Sequence, residues 1–403
     1  MRILELTWEY PPRIVGGLAR HCEGLCETLV AQGHEVHVLT VAPDEHSPDE
    51  HSPDEHSRGK TQTLNGVQVD YVLDPPTDHE DFLGWVRTFN QQIREKAPAL
   101  HNEQPFDLIH CHDWLTAEAG LALQEQWKIH LSATLHATES GRMGGIHHAL
   151  QRHIHKMEEW LTHRADSLIV CSKSMQEELQ TLFQVPASKI GIFPNGIQLD
   201  TRPEFSPEEK ALVRERYVTK DQKLILFVGR MVHEKGGRYL VEAMPHLLGN
   251  MPNAKAVLVG RGPYLEELQR RSQKLRVEKQ VHFTGYLPEE ELQALIRVAD
   301  IGAFPSLYEP FGIVALEAMA AVVPIVVSDV GGLAEIVADE YSGLKVPPKS
   351  GAHLAWAILR LLTHQDLAQK LAHNAQQAVQ QRFAWDIITR QTVQWWLQKV
   401  RVC

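Results

Sequence analysis

Residues 2–41 read R-I-L-E-L-T-W-E-Y-P-P-R-I-V-G-G-L-A-R-H-C-E-G-L-C-E-T-L-V-A-Q-G-H-E-V-H-V-L-T-V, and the patterning of that run decides the fold class. Arg2 to Thr7 reads as a short buried strand. Leu18, Cys22, Leu25 and Leu29 recur at spacings of four, three and four, as on one face of a helix, which Gly33 stops before a second strand over Glu35 to Val41. Strand, helix and strand in that order make a βαβ unit. Its Gly16-Gly17 pair sits where strand becomes helix, so bare backbone N–H groups can approach a phosphate or a developing oxyanion there. An ordinary tight turn uses the same pair.

The design repeats in the other half of the chain. Lys223 to Val228 is a strand, and Gly229-Arg230-Met-Val-His-Glu-Lys235-Gly236-Gly237 is a basic, glycine-bearing turn leading into a helix. Arg230 can fork onto phosphate oxygens and Lys235 adds a point charge. Both matter because the chain carries a formal charge of −11 and repels anions at long range, which also argues against a nucleic-acid partner. Further on, Glu309-Pro-Phe-Gly-Ile-Val-Ala-Leu-Glu317 brackets a Pro-Phe-Gly turn that opens into an apolar helix, with Ile313, Val314, Leu316 and Met319 expected on its buried face. The amino end of that helix attracts phosphate, and a carboxylate about two turns along can accept from ribose hydroxyls. Ser328-Asp-Val-Gly331-Gly332-Leu-Ala-Glu is again strand, glycine pair and helix, and serves equally well as a packing turn.

Strands and helices continue to alternate. Strands are expected near Gln68 to Leu73, Asp107 to His110, His130 to Leu135, Ser167 to Val170 and Lys189 to Phe193, with helical segments beginning near Phe82, Trp114, Ile146 and Ser174. Pro194-Asn195-Gly196 signals a turn that ends this half, and Ser206-Pro-Glu-Glu an acidic helix start for the next. The second half runs through strands at Ala256 to Val259, Val281 to Phe283, Ile301 to Phe304 and Pro324 to Val327, and Asp386 to Val400 looks like a last helix. The reading is α/β, with two Rossmann-like, doubly wound domains of mostly parallel sheet: residues 1–196, residues 197–382, and a terminal segment at 383–403. With 403 residues, 43% of them hydrophobic, two cores can be buried.

No stretch of about 20 apolar residues occurs, and the amino terminus lacks a signal-peptide pattern, so a cytoplasmic protein is expected, with peripheral membrane contact left open. Cys22, Cys26, Cys111, Cys171 and Cys403 contain no C-x-x-C and read as reduced thiols. The pentapeptide Pro-Asp-Glu-His-Ser occurs three times over residues 43–57. Nothing apolar lies inside it, so a mobile loop is expected, either a duplicated insertion without function or a weak metal chelator.

The ordered strings W-E-Y-P-P-R-I-V-G-G-L, I-H-C-H-D-W, L-H-A-T-E-S-G-R, F-P-N-G-I, V-G-R-M-V-H-E-K-G, V-G-R-G-P, V-H-F-T-G-Y and E-P-F-G-I-V-A-L-E span nearly the whole chain. In that order the sequence resembles a retaining glycosyltransferase of family 4 with GT-B architecture. Its opening, H-D-W and H-A-T-E-S-G-R strings are similar to the glycogen-synthase-like branch. The resemblance implies a first domain that binds a glycan acceptor, a second that binds a nucleotide sugar, a cleft between them, and a last helix that crosses back to the first domain.

It also implies roles. Arg230 and Lys235 would hold the diphosphate with backbone help from Ile313 and Val314, and Gly16 and Gly17 would join the donor site. Glu317 would accept from the ribose, while Glu309 and the Phe311-Gly312 backbone would hold the transferred sugar. His136 would stand beside the anomeric centre, and His112, Asp113, Trp114 and Arg142 would border the acceptor, with Trp114 free to stack on a sugar unless it is core. No metal or other cofactor is expected, because no D-x-D pair occurs and the basic loop offers its own cations. Glucose from UDP-glucose or ADP-glucose, added to an α-1,4-glucan, is the expected reaction. GDP-mannose as donor, a lipid or small-molecule acceptor, a nucleotide-sugar epimerase, a phosphorylase and a non-catalytic sensor are the alternatives.

Overall fold

The computed structural model describes residues 1–43, 61–76, 81–198 and 205–400; the pentapeptide repeat, from Asp44 onward, lies outside them. The chain forms two compact units, one of residues 1–196 with 385–403 and the other of residues 197–384.

Eight strands build the sheet of the first unit: β1 (Arg2–Leu6), β2 (Glu35–Val41), β3 (Gln62–Leu64), β4 (Val67–Leu73), β5 (Leu108–His112), β6 (His130–Leu135), β7 (Ser167–Val170) and β8 (Ile190–Ile192). Their order is β3-β4-β2-β1-β5-β6-β7-β8, parallel throughout except for the short β3, which pairs antiparallel with β4. Near-continuous apolar runs such as Arg2–Leu6 suit strands covered by helices on both faces. The helix Gly17–Ala31 packs Leu18, Cys22, Leu25 and Leu29 into the core, as its spacing requires. Trp385, Ile388, Val393 and Trp396 of the helix Trp385–Val400 join the same core, and the Trp396 indole N–H donates to Ser132 Oγ at 3.0 Å.

The second unit holds β9 (Lys223–Val228), β10 (Ala254–Val259), β11 (Val281–Gly285), β12 (Ile301–Phe304), β13 (Ile325–Ser328) and β14 (Leu344–Val346), all parallel, in the order β11-β10-β9-β12-β13-β14. Ser206 opens its first helix, Pro207–Glu215, with a reciprocal capping box to Glu209. Helices Gly237–Asn250 and Gly351–Thr363 supply Leu240, Val241, Leu354 and Ile358 to the core.

Several boundaries differ from the sequence reading. β5 runs two residues beyond His110, which draws His112 into the sheet. The helix expected near Trp114 starts as the 3-10 turn Trp114–Thr116 and continues as Ala117–Trp127, and the one expected near Ile146 is Ala149–Arg164, preceded by a short unexpected helix, Glu139–Met143. β3 and β14 are too short to leave a pattern. Among the described residues no helix is long and apolar enough to cross a membrane. Cys22, Cys26, Cys111 and Cys171 are free and buried; Cys403 lies outside the described residues.

Candidate active-site groups in the two units

In the second unit the strand order reverses between β9 and β12. Loops leaving the carboxyl ends of two strands at such a point diverge, and the crevice between them is where α/β sheets bind ligands. The loop after β9 carries Arg230 and Lys235; the loop after β12 carries Glu309. Lys235 Nζ donates to Glu309 Oε2 at 2.7 Å, and Ser306 Oγ donates to the same oxygen at 3.2 Å. The backbones are tied as well, the Leu307 N–H donating to Glu234 O at 2.7 Å. Gly236, with φ at +70°, permits this approach, because a Cβ there would collide with the Pro305 carbonyl. Arg230, 48% exposed, stands 3.6 Å from the Glu234 carboxylate, so both cations of the loop face a carboxylate, Lys235 closely and Arg230 loosely.

Gly312 caps the helix Ile313–Ala320, whose first N–H groups, at Ile313 and Val314, have no intrahelical acceptor. Leu316 and Met319 are buried as expected, whereas Ile313 and Val314 are only half-buried, since the first turn faces the loop rather than the core. Glu317 is buried on this helix, and Phe311 is core, its ring 6.1 Å from that of Phe383. The Gly331-Gly332 pair proves to be a packing turn. The Gly332 N–H donates to Glu309 O at 2.8 Å, and a Cβ on Gly331 would strike that carbonyl, so the pair props the Glu309 turn from behind.

In the first unit the strand order reverses between β1 and β5, and the polar cluster lies there. Glu5 of β1 lies opposite His110 of β5, and His112 falls two residues on, on the same face of the strand. Glu5 is fully buried. Burial alone would raise its pKa, but His110 and His112 outweigh that and hold it at about 2. The carboxylate therefore accepts from both rings: His110 Nδ1 at 3.1 Å on Oε1 and His112 Nε2 at 3.0 Å on Oε2. Burial and the neighbouring His110 keep His112 neutral, with a pKa of about 4, so its one proton sits on Nε2 and Nδ1 is an acceptor. His136 Nε2, at 3.0 Å, donates to it. The line Glu5–His112–His136 thus fixes the ring of His136, a partly buried residue just beyond β6 that burial keeps neutral, and leaves its Nδ1 as the acceptor.

Asp113 is placed differently from the expectation that it borders an acceptor. It is buried with φ at +57°, and its carboxylate accepts from the His136 N–H at 2.8 Å, so it shapes the loop that presents His136. Desolvation raises its pKa to about 6 in spite of the nearby Arg142. Trp114 is core: 6% exposed, its ring edge-on to Phe82 and His153, with no free face for a sugar. His112 likewise has no exposure and acts on His136 rather than outward. Arg142, half-buried, is the remaining side chain of the expected acceptor set.

The glycine pair of the first loop also departs from expectation. Glu9 Oε2 accepts from the Val15 and Gly16 N–H groups at 3.1 and 2.9 Å, so the Gly16 donor expected to be bare is occupied by a carboxylate of the same chain. Gly16 itself borders open space.

Comparison with known proteins assigns the chain to a family. Residues 15–201 match the family described as Glycosyltransferase Family 4, and residues 209–378 match Glycosyl transferases group 1. An uncharacterized glycosyltransferase of Methanocaldococcus jannaschii is 40% identical over 98% of this chain and 97% of its own. A glycogen synthase of Mycobacterium tuberculosis is 34% identical over 100% of this chain and 95% of its own. The chain belongs to the GT-B glycosyltransferases, in their glycogen-synthase-like branch. The solved sucrose-phosphate synthase of Thermosynechococcus elongatus superimposes on this glycosyltransferase with a TM-score of 0.82, at 26% identity over the full length of both chains.

Sequence reasoning missed Glu5, His21, His110 and Asn195 as members of the glycosyltransferase's polar cluster, and Glu9 as the carboxylate that fills the first loop. Glu5 and His110 left a signal, a charged and a polar residue inside runs that otherwise read as buried strands. His21 and Asn195 left none, because the 2.8 Å contact between His21 Nδ1 and Asn195 Oδ1 joins residues 174 positions apart.

Proposed function

We propose that this glycosyltransferase moves glucose, with retention at the anomeric carbon, from a nucleoside-diphosphate glucose (UDP-glucose or ADP-glucose) to the end of an α-1,4-glucan. The observation that carries the reading is the Lys235–Glu309 pair at the switch point of the second sheet, a cation and an anion 2.7 Å apart, which supports a site for a donor's diphosphate and sugar. Lys235 and Arg230 hold the diphosphate and offset the charge that builds on the leaving group, with the Ile313 and Val314 N–H groups beside them. Glu317 accepts from the ribose hydroxyls. Glu309 and the Phe311-Gly312 backbone hold the hydroxyls of the sugar.

In the first unit His136, steadied by His112 and Glu5, offers Nδ1 to a hydroxyl of the donor sugar or of the acceptor, and Arg142 borders the acceptor. The departing phosphate oxygen takes the acceptor's proton as the acceptor attacks from the same face, so no protein nucleophile is needed. The glycogen synthase relationship, at 34% identity over the whole chain, supports a glucan acceptor. The likeness to sucrose-phosphate synthase favours, as a second reading, transfer to a small sugar-phosphate acceptor. Incubation with each glucose donor and maltooligosaccharides tests the proposal. A ladder growing by one hexose supports it; nucleoside diphosphate release only with a small acceptor selects the second reading, and consumption of GDP-mannose alone overturns both.

A further inference from the structure

His21, on the first turns of the helix Gly17–Ala31, lies against the His112–His136 pair. The three rings bring one nitrogen each to within 4.8 Å of one another. Two rings have their outer nitrogen already committed. His21 Nδ1 donates to Asn195 Oδ1 at 2.8 Å, and His112 Nε2 donates to Glu5 Oε2 at 3.0 Å. Each is therefore locked in the tautomer whose other nitrogen carries a lone pair. In His21 that nitrogen, Nε2, is buried and has no hydrogen-bond partner, though the residue is only 5% exposed. An orphaned acceptor in such a place is destabilising unless something fills its lone pair.

We propose that His21, His112 and His136 form a binding site for one Zn²⁺-class ion, with Glu5 and Asn195 as the partners that orient two of its ligands. Three imidazoles with a fourth position open is a recognised zinc donor set, and ligating histidines characteristically donate their other N–H to a carboxylate or carbonyl. The 3.0 Å between His112 Nδ1 and His136 Nε2 is close to the roughly 3.3 Å that separates two nitrogens about 2.05 Å from a tetrahedral ion. Binding requires His136 to shift its proton from Nε2 to Nδ1, a change of tautomer that releases no proton. His21 and His112 are buried and His136 only partly so, which makes the His136 side the way in.

The site stands on geometry alone, but its consequence rests on the function proposed above. An ion here takes the Nε2 of His136 out of its contact with His112 and blocks Nδ1 as an acceptor. Zinc is thus an inhibitor of a transferase that does not need it.

The test uses the full chain after chelation and dialysis, titrated with Zn²⁺ by calorimetry and with Co²⁺ followed by its visible absorption. The site predicts one equivalent bound with the spectrum of a nitrogen-ligated, four-coordinate ion. His21→Ala should abolish it, and Asn195→Ala should weaken it by roughly 10- to 100-fold, the range for lost orienting partners. Because the pentapeptide repeat also contains histidine, the same titration is run on a chain lacking residues 43–57. Binding that survives His21→Ala but disappears with the repeat overturns the assignment, as does an absence of binding in the parent. Turnover should fall along the Zn²⁺ binding curve and return on chelation. Binding without inhibition overturns the role given to His136 in transfer and leaves the metal site standing.

Discussion

Replacing Lys235 by alanine gives the most direct test of the donor loop. In the free protein the Lys235 ammonium is matched by Glu309, with side-chain exposures of 24% and 13%, so removal has two consequences. The diphosphate loses a charge-assisted donor, an interaction of about 1.5–3 kcal/mol. Glu309 loses its cation and is left as a negative charge beside a negative ligand. The first effect alone lowers nucleoside diphosphate affinity by roughly 10- to 150-fold, at about 1.4 kcal/mol per factor of ten. The second adds to it and can be isolated: in Lys235→Ala/Glu309→Gln the repulsion is gone and about 1 kcal/mol should be recovered relative to the single variant. Calorimetry with UDP and ADP, and with uridine and adenosine as controls, reads both effects once circular dichroism has confirmed the fold. The nucleosides lack phosphate and should bind the variant as they bind the parent. Equal losses for nucleoside and diphosphate, or unchanged diphosphate affinity, would refute the reasoning.

Glu317→Ala should weaken donor binding by roughly 1–3 kcal/mol, read by calorimetry with the intact nucleotide sugar. Arg230→Ala should lower turnover about a hundredfold by removing a cation from the leaving group, while EDTA leaves the parent's turnover intact; activity lost to EDTA and rescued by Mn²⁺ would sink the metal-free account. Glu158 yields a pH prediction. Burial raises its carboxyl pKa to about 8 from 4.5; Oε1 accepts from the Glu139 N–H at 2.8 Å, while Oε2 has no hydrogen bond and lies 3.9 Å from His155 Nδ1. The folded chain keeps this proton over a range where the unfolded chain has released it, so stability falls as pH rises from about 4.5 to about 8. Glu158→Gln should flatten that fall, with about 5 kcal/mol as the ceiling at about 1.4 kcal/mol per pH unit, and thermal midpoints of variant and parent across the window measure it.

The parts of the fold written in local patterns were legible. Leu18, Cys22, Leu25 and Leu29 specify one helix face, and Ser206 with Glu209 specifies a helix start, because each depends on spacing within a few residues. What spacing cannot convey is which distant side chain occupies a group. The Gly16-Gly17 loop reads as a phosphate cradle, yet Glu9 fills its donor at Gly16 in the folded chain. Trp114 looks like a sugar platform only while Phe82 and His153 are out of view. In the second unit the basic loop and the E-x7-E run were both visible, but the pairing of Lys235 with Glu309 comes from strand order, which brings residues 74 positions apart together. The histidine cluster required three strand or helix ends to meet, and only the His110–His112 alternation hinted at it.

The helix Trp385–Val400 has a consequence for the order in which the protein is made. Its Trp385 lies against Gly24 and Gly196, and its Trp396 is fully buried, so residues from both extremes of the chain share one core. The connections into and out of the second unit run side by side, the Ile197 N–H donating to Phe383 O at 2.8 Å. On the ribosome, the residues of the second unit are therefore all available before the first can be completed. The first unit must wait, while residues 197–384 are made, with the apolar surface meant for Trp385 and Trp396 uncovered. The half of the molecule that is translated first is the half that is finished last, and its exposure to chaperones and proteases is set by the time needed to translate the other.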